Sequence, residues 1–145
     1  MGGFSNVYAT AVANHFFRGD VTSTEQSRPE ELYLSLHVAD PTDAGLTADE
    51  LEGGSYSRQR IYFSEPDTDP INDAYVTFIS NSNSLFFPNL PASEVTNIGI
   101  WTELNGGLLV FSDSIYISAA TPTSVILNSG DTLSIPEGYI KIYIQ

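Results

Sequence analysis

Alternation of apolar and polar positions is clearest from Leu32 to Val38, where every second residue is apolar. Successive side chains of a strand point to opposite sides, so this pattern places the leucines and Val38 on one face. The intervening side chains, which include His37, fall on the other face. The stretch is therefore predicted to be a strand with one face in the core.

A second extended stretch, Tyr56–Phe63, follows a Gly-Gly pair and holds two of the chain's five basic residues. Its alternation puts Arg58 and Arg60 on the face that also carries Tyr56 and Tyr62. The acidic loop between the two stretches is too long for a tight hairpin. The two strands therefore need not be neighbours.

One segment near the N-terminus has helical periodicity. Ser5 suits an N-cap, and the pattern predicts a helix of about 13 residues that begins at Asn6, carries Arg18 in its last turn and stops at Gly19. Isolated helices of this length are marginal in water, so its apolar face is expected to dock on the sheet or on a neighbouring subunit. That face comprises Tyr8, Ala11, Val12, His15 and Phe16.

The rest of the chain alternates short apolar runs with turn sequences, which is typical of β structure. Residues 65–70 are predicted to be a loop, and 74–79 a central strand because both faces are apolar. We expect Pro88 to stop the strand that starts at Leu85. The predicted strand 132–135 is expected to pair with the predicted strand 123–127. Further strands are predicted at 95–103, 108–111, 115–117 and 139–144, with turns at 105–107, 128–131 and 136–138 and a turn or bulge at 112–114.

These elements predict an all-β fold, an antiparallel sandwich or jelly roll with one N-terminal helix. A chain of 145 residues is expected to form a single domain, with the helix and an arm in 1–19 and the sandwich in 31–145. Because no internal repeat or heptad is found, we expect the chain alone to be a compact block rather than a shaft.

Charge narrows the range of partners. Eighteen acidic and five basic residues give a net charge of -13, which disfavours binding to nucleic acid or to an anionic membrane surface. The absence of cysteine excludes disulfides and thiolate metal sites. No apolar run is long enough to span a bilayer, and the N-terminus lacks the pattern of a signal peptide. Neutral or basic protein surfaces are the expected partners.

Catalysis and metal binding have weak support in the sequence. His37 is the best candidate for a serine-type site, but a single strand histidine is more often structural, so no catalytic residue and no cofactor is predicted. Asp67, Asp69, Asn72 and Asp73 offer oxygen ligands, yet the spacing departs from a calcium loop at Ile71 and Asn72. Solvated acidic loops are the preferred interpretation, and no metal site is predicted.

Aromatic residues leave a third class of function open. Exposed rings with amides beside them can stack on sugars, whereas packing in the core or at a subunit interface is the commoner role and the preferred one. The candidates are Tyr56, Tyr62, Trp101, Tyr116, Tyr139 and Tyr143.

Two arginines in an acidic chain suggest a contact surface. Arg58 and Arg60 can pair with acidic groups of a neighbouring copy or a capsid, stack on Tyr56 and Tyr62 within the fold, or neutralise Asp40 and Asp43 in cis. These alternatives are evenly balanced. The residues predicted to bind a partner are Asp40, Asp43, Asp49, Glu50, Arg58, Arg60 and Phe16.

Several motifs occur in order along most of the chain: Asn14–Gly19, Leu32–His37 leading to Asp40–Gly45, Gly54–Gln59, Ile98–Trp101, Asn105–Leu109 and Asn128–Leu133. Together they resemble a family of virion structural proteins of short tailed bacteriophages, commonly labelled tail-fibre-like. The resemblance implies a β-rich, non-enzymatic component of the phage particle.

Within that family we expect a capsid decoration (cement) protein on the outer surface of the head. A compact chain without fibre repeats and an acidic balance unsuited to packaged DNA favour this location. The expected partners are other copies of the chain, as a homotrimer, and the major capsid protein or tail proteins. A tail-tip or tail-fibre component is the first alternative, and a receptor module that binds host glycans is the second.

Overall fold

The structure is a computed structural model that describes residues 3–14, 17, 29–71, 74–115 and 122–144. Twelve strands and one helix lie in these residues: β1 (Gly3–Phe4), α1 (Asn6–Ala13), β2 (Tyr33–His37), β3 (Gln59–Arg60), β4 (Asp67–Ile71), β5 (Ala74–Ser80), β6 (Leu85–Leu90), β7 (Ser93–Val95), β8 (Asn97–Trp101), β9 (Leu109–Ser114), β10 (Val125–Leu127), β11 (Asp131–Ile135) and β12 (Lys141–Ile144).

Every pairing between these strands is antiparallel, which confirms the all-β class with an N-terminal helix. The described strands form four hydrogen-bonded sheets, ordered β1-β9-β8-β2-β3, β12-β5-β4, β11-β6 and β10-β7. A sandwich or jelly roll and the single-domain organisation stay predictions. No helix among the described residues is long and apolar enough to cross a membrane.

The five-stranded sheet contains the predicted strand at 32–38. β2 pairs with β8 along its whole length and with β3 over two residues. The predicted strands at 32–38 and 56–63 are therefore neighbours, although the long loop between them did not require it. Leu34 and Leu36 are fully buried, as the alternation predicts. Ser35 and His37 on the opposite face are fully buried as well. β2 is therefore covered on both faces.

Proline positions account for two differences from the predicted strands. Residues 65–70, predicted to be a loop, include most of β4, which is an edge strand and so tolerates Pro70. Pro88 does not stop β6, because Pro88 and Asn89 form a bulge where the register with β11 shifts, and Asn89 has a φ of 48°. β5 lies between β4 and β12, which confirms its central position.

Strand partners differ from prediction at three further points. The predicted strand 95–103 is divided at Thr96 into β7 and β8, which belong to different sheets. β10 pairs with β7 and β11 with β6, so 123–127 and 132–135 are not partners. Residues 112–114, expected to turn or bulge, continue β9. Strand partners depend on contacts far apart in sequence, which local patterns do not encode.

Ser5 is the N-cap residue of α1, as predicted, but its side chain binds the sheet rather than the helix. Its side chain makes no capping hydrogen bond; its hydroxyl donates to the carbonyl oxygen of Leu109, and its amide donates to that of Val110 at 3.0 Å. On α1 Tyr8 is buried, whereas Val12 of the predicted apolar face is 40% exposed. The predicted end of the helix at Arg18 lies outside the described residues.

Apolar side chains from all four sheets form one buried cluster. Its members include Leu34, Leu36, Leu85, Phe87, Val95, Ile100, Leu127 and Ile142. Burial of each such side chain contributes about 1.5–3 kcal/mol to stability, so this cluster is the main source of folding free energy among the described residues.

Candidate partner-binding site

The loop after β2 presents three acidic side chains to solvent. Its first turn is fixed by the amide of Thr42, which donates to Asp40 Oδ1 at 2.8 Å, and by the amide of Leu46, which donates to the Pro41 carbonyl at 2.7 Å. Asp40, Asp43 and Asp49 are exposed and form no ion pair with a described residue. The loop therefore carries concentrated, unneutralised negative charge.

Gly45 holds this loop against β9. Its φ is +70°, and a Cβ added there would lie 3.1 Å from Leu109 Cβ. A side chain at this position is therefore disfavoured both by the left-handed backbone and by the neighbouring strand. A separate contact holds the backbone of Asp43, whose carbonyl oxygen accepts the amide of Asn6 at 3.2 Å.

Glu50 and Arg58 lie inside the fold. Arg58 Nε donates to Glu50 Oε1 at 2.8 Å, and Nη2 donates to Oε2 at 2.7 Å, while the two side chains are only 4% and 14% exposed. Burial raises the pKa of Glu50, but the hydrogen bonds and charge of Arg58 outweigh burial, so the pKa is lowered. This pair neutralises Arg58 in cis and is not free for a partner.

Arg58 also holds the β8–β9 hairpin. Its Nη1 donates to the carbonyl oxygens of Glu103 at 3.0 Å and Gly106 at 2.7 Å, and its Cζ lies 4.2 Å from the centre of the Trp101 ring. Tyr56 completes the group, since its hydroxyl donates to Glu50 Oε1 at 2.9 Å. One guanidinium thus joins the 40–58 region, a hairpin and the tryptophan.

Arg60 lies nearer the surface and pairs with a different acid. Its Nη1 is 2.6 Å from Glu31 Oε1, and its Cζ lies 5.6 Å and 4.9 Å from the ring centres of Tyr33 and Tyr62. Both arginines therefore pair with an acid of the same chain, Arg58 with Glu50 and Arg60 with Glu31 rather than with Asp40 and Asp43, and Arg60 also stacks on Tyr62. Phe16 lies outside the described residues.

Trp101, Ser35 and His37 form a buried polar network that the sequence patterns did not predict. Trp101 Nε1 donates to Ser35 Oγ at 2.7 Å, and Ser35 Oγ lies 2.7 Å from His37 Nε2. A Cβ on Gly99 would lie 2.7 Å from both Ser35 Oγ and Trp101 Nε1. An isolated glycine in an apolar strand indicates such a close approach, and Gly99 was the available signal.

The serine–histidine contact gives no support to the catalytic hypothesis. Ser35 and His37 are both fully buried, so a substrate has no access to either side chain. Within the described residues no group of three or more His, Asp or Glu side chains is arranged to hold a metal ion. Asn72 and Asp73 of the acidic candidate lie outside the described residues.

The structure separates the six aromatic candidates for sugar binding. Trp101 is 2% exposed, and Tyr56 is partly buried against the apolar cluster, so neither ring is free to stack on a sugar. Tyr143 donates its hydroxyl to Asp69 Oδ2 at 2.9 Å. Tyr62 is 52% and Tyr139 is 76% exposed, whereas Tyr116 lies outside the described residues.

Comparison with protein families decides the relationship suggested by the motifs. Residues 3–143 match the family described as podophage GP4 fiber I protein gp80. The chain belongs to this family. No curated protein matches the chain. Membership in the gp80 family confirms that the chain is a phage structural protein of the fibre-protein type, and implies that it is part of the virion.

Removal of the Arg58 side chain is expected to destabilise the protein strongly. Arg58→Ala leaves the Glu50 carboxylate and two hairpin carbonyls without their donor, which we expect to cost about 3–5 kcal/mol in the free energy of unfolding. Urea unfolding followed by the fluorescence of Trp101, the only tryptophan, measures the change. Arg58→Lys should recover little, because an ammonium lacks the forked donors.

Arg60→Ala is the matched control for that change, because Arg60 also pairs with a glutamate but has a side chain that is 29% exposed. We expect a much smaller loss of stability for this pair, because water and salt screen an exposed ion pair. Equal losses for the two alanine variants would contradict the role of Arg58.

Acidification should destabilise the protein through His37. Burial lowers the pKa of His37; the charge of Arg58 adds to this, and the acidic residues Glu50, Asp49 and Asp40 offset only part of it. As the pH falls, His37 is protonated first in the unfolded chain, near pH 6.5. The contribution of His37 to stability is therefore fully present above that pH and is lost below it. We expect a slope that approaches about 1.4 kcal/mol per pH unit.

Urea unfolding between about pH 7.5 and pH 5.5 tests this dependence. His37→Gln should flatten the slope, whereas His15→Gln, at the chain's other histidine, should retain it. An unchanged slope in His37→Gln would assign the pH dependence to other groups.

Proposed function

We propose that the chain is a non-enzymatic component of the tail fibre of a short-tailed phage. The observation that carries this proposal is the match of residues 3–143 to a podophage fibre protein family. The main prediction from the sequence, a capsid decoration protein, finds no support in the family description, whereas its tail-fibre alternative agrees with it. The buried Ser35 and His37 support a role without catalysis.

Length in such a fibre has to come from association of chains. The sequence has no internal repeat from which one chain could build an extended shaft. Within the part of the chain that the structure describes, the sheets β11-β6 and β10-β7 have two strands each, and a strand without a partner on one side can pair with another chain. We therefore infer that several copies assemble, as a homotrimer, and that the assembly attaches to another virion protein.

The acidic loop is the surface that we assign to this attachment. Asp40, Asp43 and Asp49 are exposed, while Glu50 and Arg58 neutralise each other beneath them. A basic protein surface complements such a loop and is attracted to it over a distance set by the salt concentration. The loop is ordered by its own turn hydrogen bonds, so docking requires little further ordering.

The location of the protein in the virion tests the main proposal. Gold-labelled antibodies against the chain, together with electron cryo-microscopy of intact particles, should find it on the tail in a small number of copies with the symmetry of the fibres. The same maps show whether the copies form trimers. Label spread over the head would overturn the proposal and restore the decoration hypothesis.

Neutralising the acidic loop should impair incorporation. We expect virions grown with the triple variant Asp40→Asn, Asp43→Asn, Asp49→Asn to contain at least about tenfold less of the protein after a salt wash, because rim charges set association and its salt dependence. Immunoblots of purified particles measure this amount.

The control is a triple variant with the same change in net charge at exposed positions elsewhere: Glu65→Gln, Glu103→Gln, Glu137→Gln. It should be incorporated at the wild-type level. Equal loss in both triple variants would show that total charge matters and would remove the loop from the contact surface.

A further inference from the structure

A small cavity lies where the start of α1, the acidic loop and the β8–β9 hairpin meet. Its volume is about 70 Å³, and it is partly open to solvent. Its apolar walls include Val7, Ala44, Trp101, Leu108 and Leu109. Val7 and Leu108 are 41% and 38% exposed, so apolar surface continues from the cavity to the outside of the protein. The cavity can therefore receive an apolar side chain of another molecule.

The rim of this cavity is acidic. Asp43 lines the cavity, and its exposed carboxylate forms no ion pair with a described residue. Glu103 lies beside it, because a Cβ added to the lining residue Gly107 would be 2.9 Å from Glu103 Cβ. The positive charge of Arg58 is already neutralised by Glu50. Since like charges in contact are unfavourable, the segment that enters this cavity should carry no acid.

The chain itself contains an exposed apolar side chain in a segment without acids. Phe17 is 87% exposed, the largest fraction among the large apolar side chains of the described residues. The first acidic residue of the sequence is Asp20, and Arg18 is the only Lys, Arg, Asp or Glu before it. In a chain with a net charge of -13, this segment is the one that suits an acidic rim. Removing the ring of Phe17 from water favours association.

Neither the ring nor the cavity is used within one chain. Phe17 follows the end of α1 at Ala13 by four residues, whereas the cavity lies at the start of that helix, where Val7 lines it. Because the ring is 87% exposed, it is not seated in the cavity of its own chain. A contact between two different surfaces of identical chains is heterologous, and such contacts close into a ring of subunits or continue as a filament.

We propose that Phe17 of one copy inserts into this cavity of the next copy, and that three such contacts close the homotrimer. An apolar cavity of about 150 Å³ takes a whole benzene ring, so one of about 70 Å³ takes roughly half of the Phe17 ring. The rest of the ring packs on the exposed parts of Val7 and Leu108. The inference rests on the proposed function, which includes a homotrimer, and assigns the residues that hold it together.

Two variants remove the two halves of this contact. Phe17→Ser removes the inserted ring, and Ala44→Leu, at an exposed wall residue, narrows the cavity. Each should weaken association at least about tenfold, because a buried aromatic ring is typical of the residues that dominate an interface. Analytical ultracentrifugation of the purified full chain measures the association. Phe17→Leu, which keeps an apolar side chain, should associate more tightly than Phe17→Ser.

Ala48→Leu is the matched control for Ala44→Leu. Ala48 is exposed on the same loop and does not line the cavity. The control adds the same apolar surface and changes no charge, so it should form trimers as the wild type does. Circular dichroism should show all variants folded, since each substituted side chain is exposed.

A mixture of the two impaired variants tests the head-to-tail arrangement. Phe17→Ser keeps an open cavity, and Ala44→Leu keeps the ring, so one intact contact can form between a copy of each. Sedimentation of an equimolar mixture should show a two-chain species that neither variant forms alone at the same total concentration. A contact between identical surfaces, by contrast, gives no such species.

Four outcomes would overturn the proposal: a wild-type monomer, tight association of Phe17→Ser or Ala44→Leu, loss of trimers in Ala48→Leu, or a mixture without the two-chain species. A wild-type monomer also contradicts the homotrimer of the proposed function. A trimer that is insensitive to the variants contradicts this contact alone. Labelling of wild-type virions does not depend on these variants, so the tail location is tested separately.

Discussion

The buried guanidinium of Arg58 is the interaction on which the described structure most depends. It binds both oxygens of Glu50, two carbonyls of the β8–β9 hairpin and the face of Trp101. A buried ion pair does not by itself make a protein more stable than apolar packing would. Its donors have fixed directions, however, so it determines where the loop, the hairpin and the tryptophan lie relative to one another.

Local chemistry was enough to predict the turns and several strands. Gly106, Gly107, Gly130 and Gly138 all have positive φ, and each stands where a turn was predicted. Pairing of β10 and β11 was predicted wrongly because nearness in sequence does not determine the partner of a strand. In the site, the exposed acidic loop followed from composition, whereas the Glu50–Arg58 contact did not, because it joins two segments whose contact no local pattern encodes.

Most of the basic residues are used in ion pairs within the chain, whereas many acidic residues are not. Three of the five basic residues, Arg58, Arg60 and Lys141, pair with acids of the same chain. Among the described residues, the basic side chains are therefore paired within the chain, while acidic side chains such as Asp40, Asp43 and Asp49 have no basic partner there. Copies of the chain repel one another over much of their surface, so self-association has to use regions of low charge, while the acidic loop selects a basic neighbour.

The contact between β1 and β9 has a consequence for the order of synthesis. Gly3 pairs with Ser112, and Ser5 binds Leu109, a residue 104 positions further along the chain. The ribosome therefore releases the first residues long before their partners exist, and β1 joins the sheet only after β9 has emerged. Closing so long a loop carries a large entropic cost and makes folding slow, so the amino terminus docks late on a sheet whose inner strands are already available.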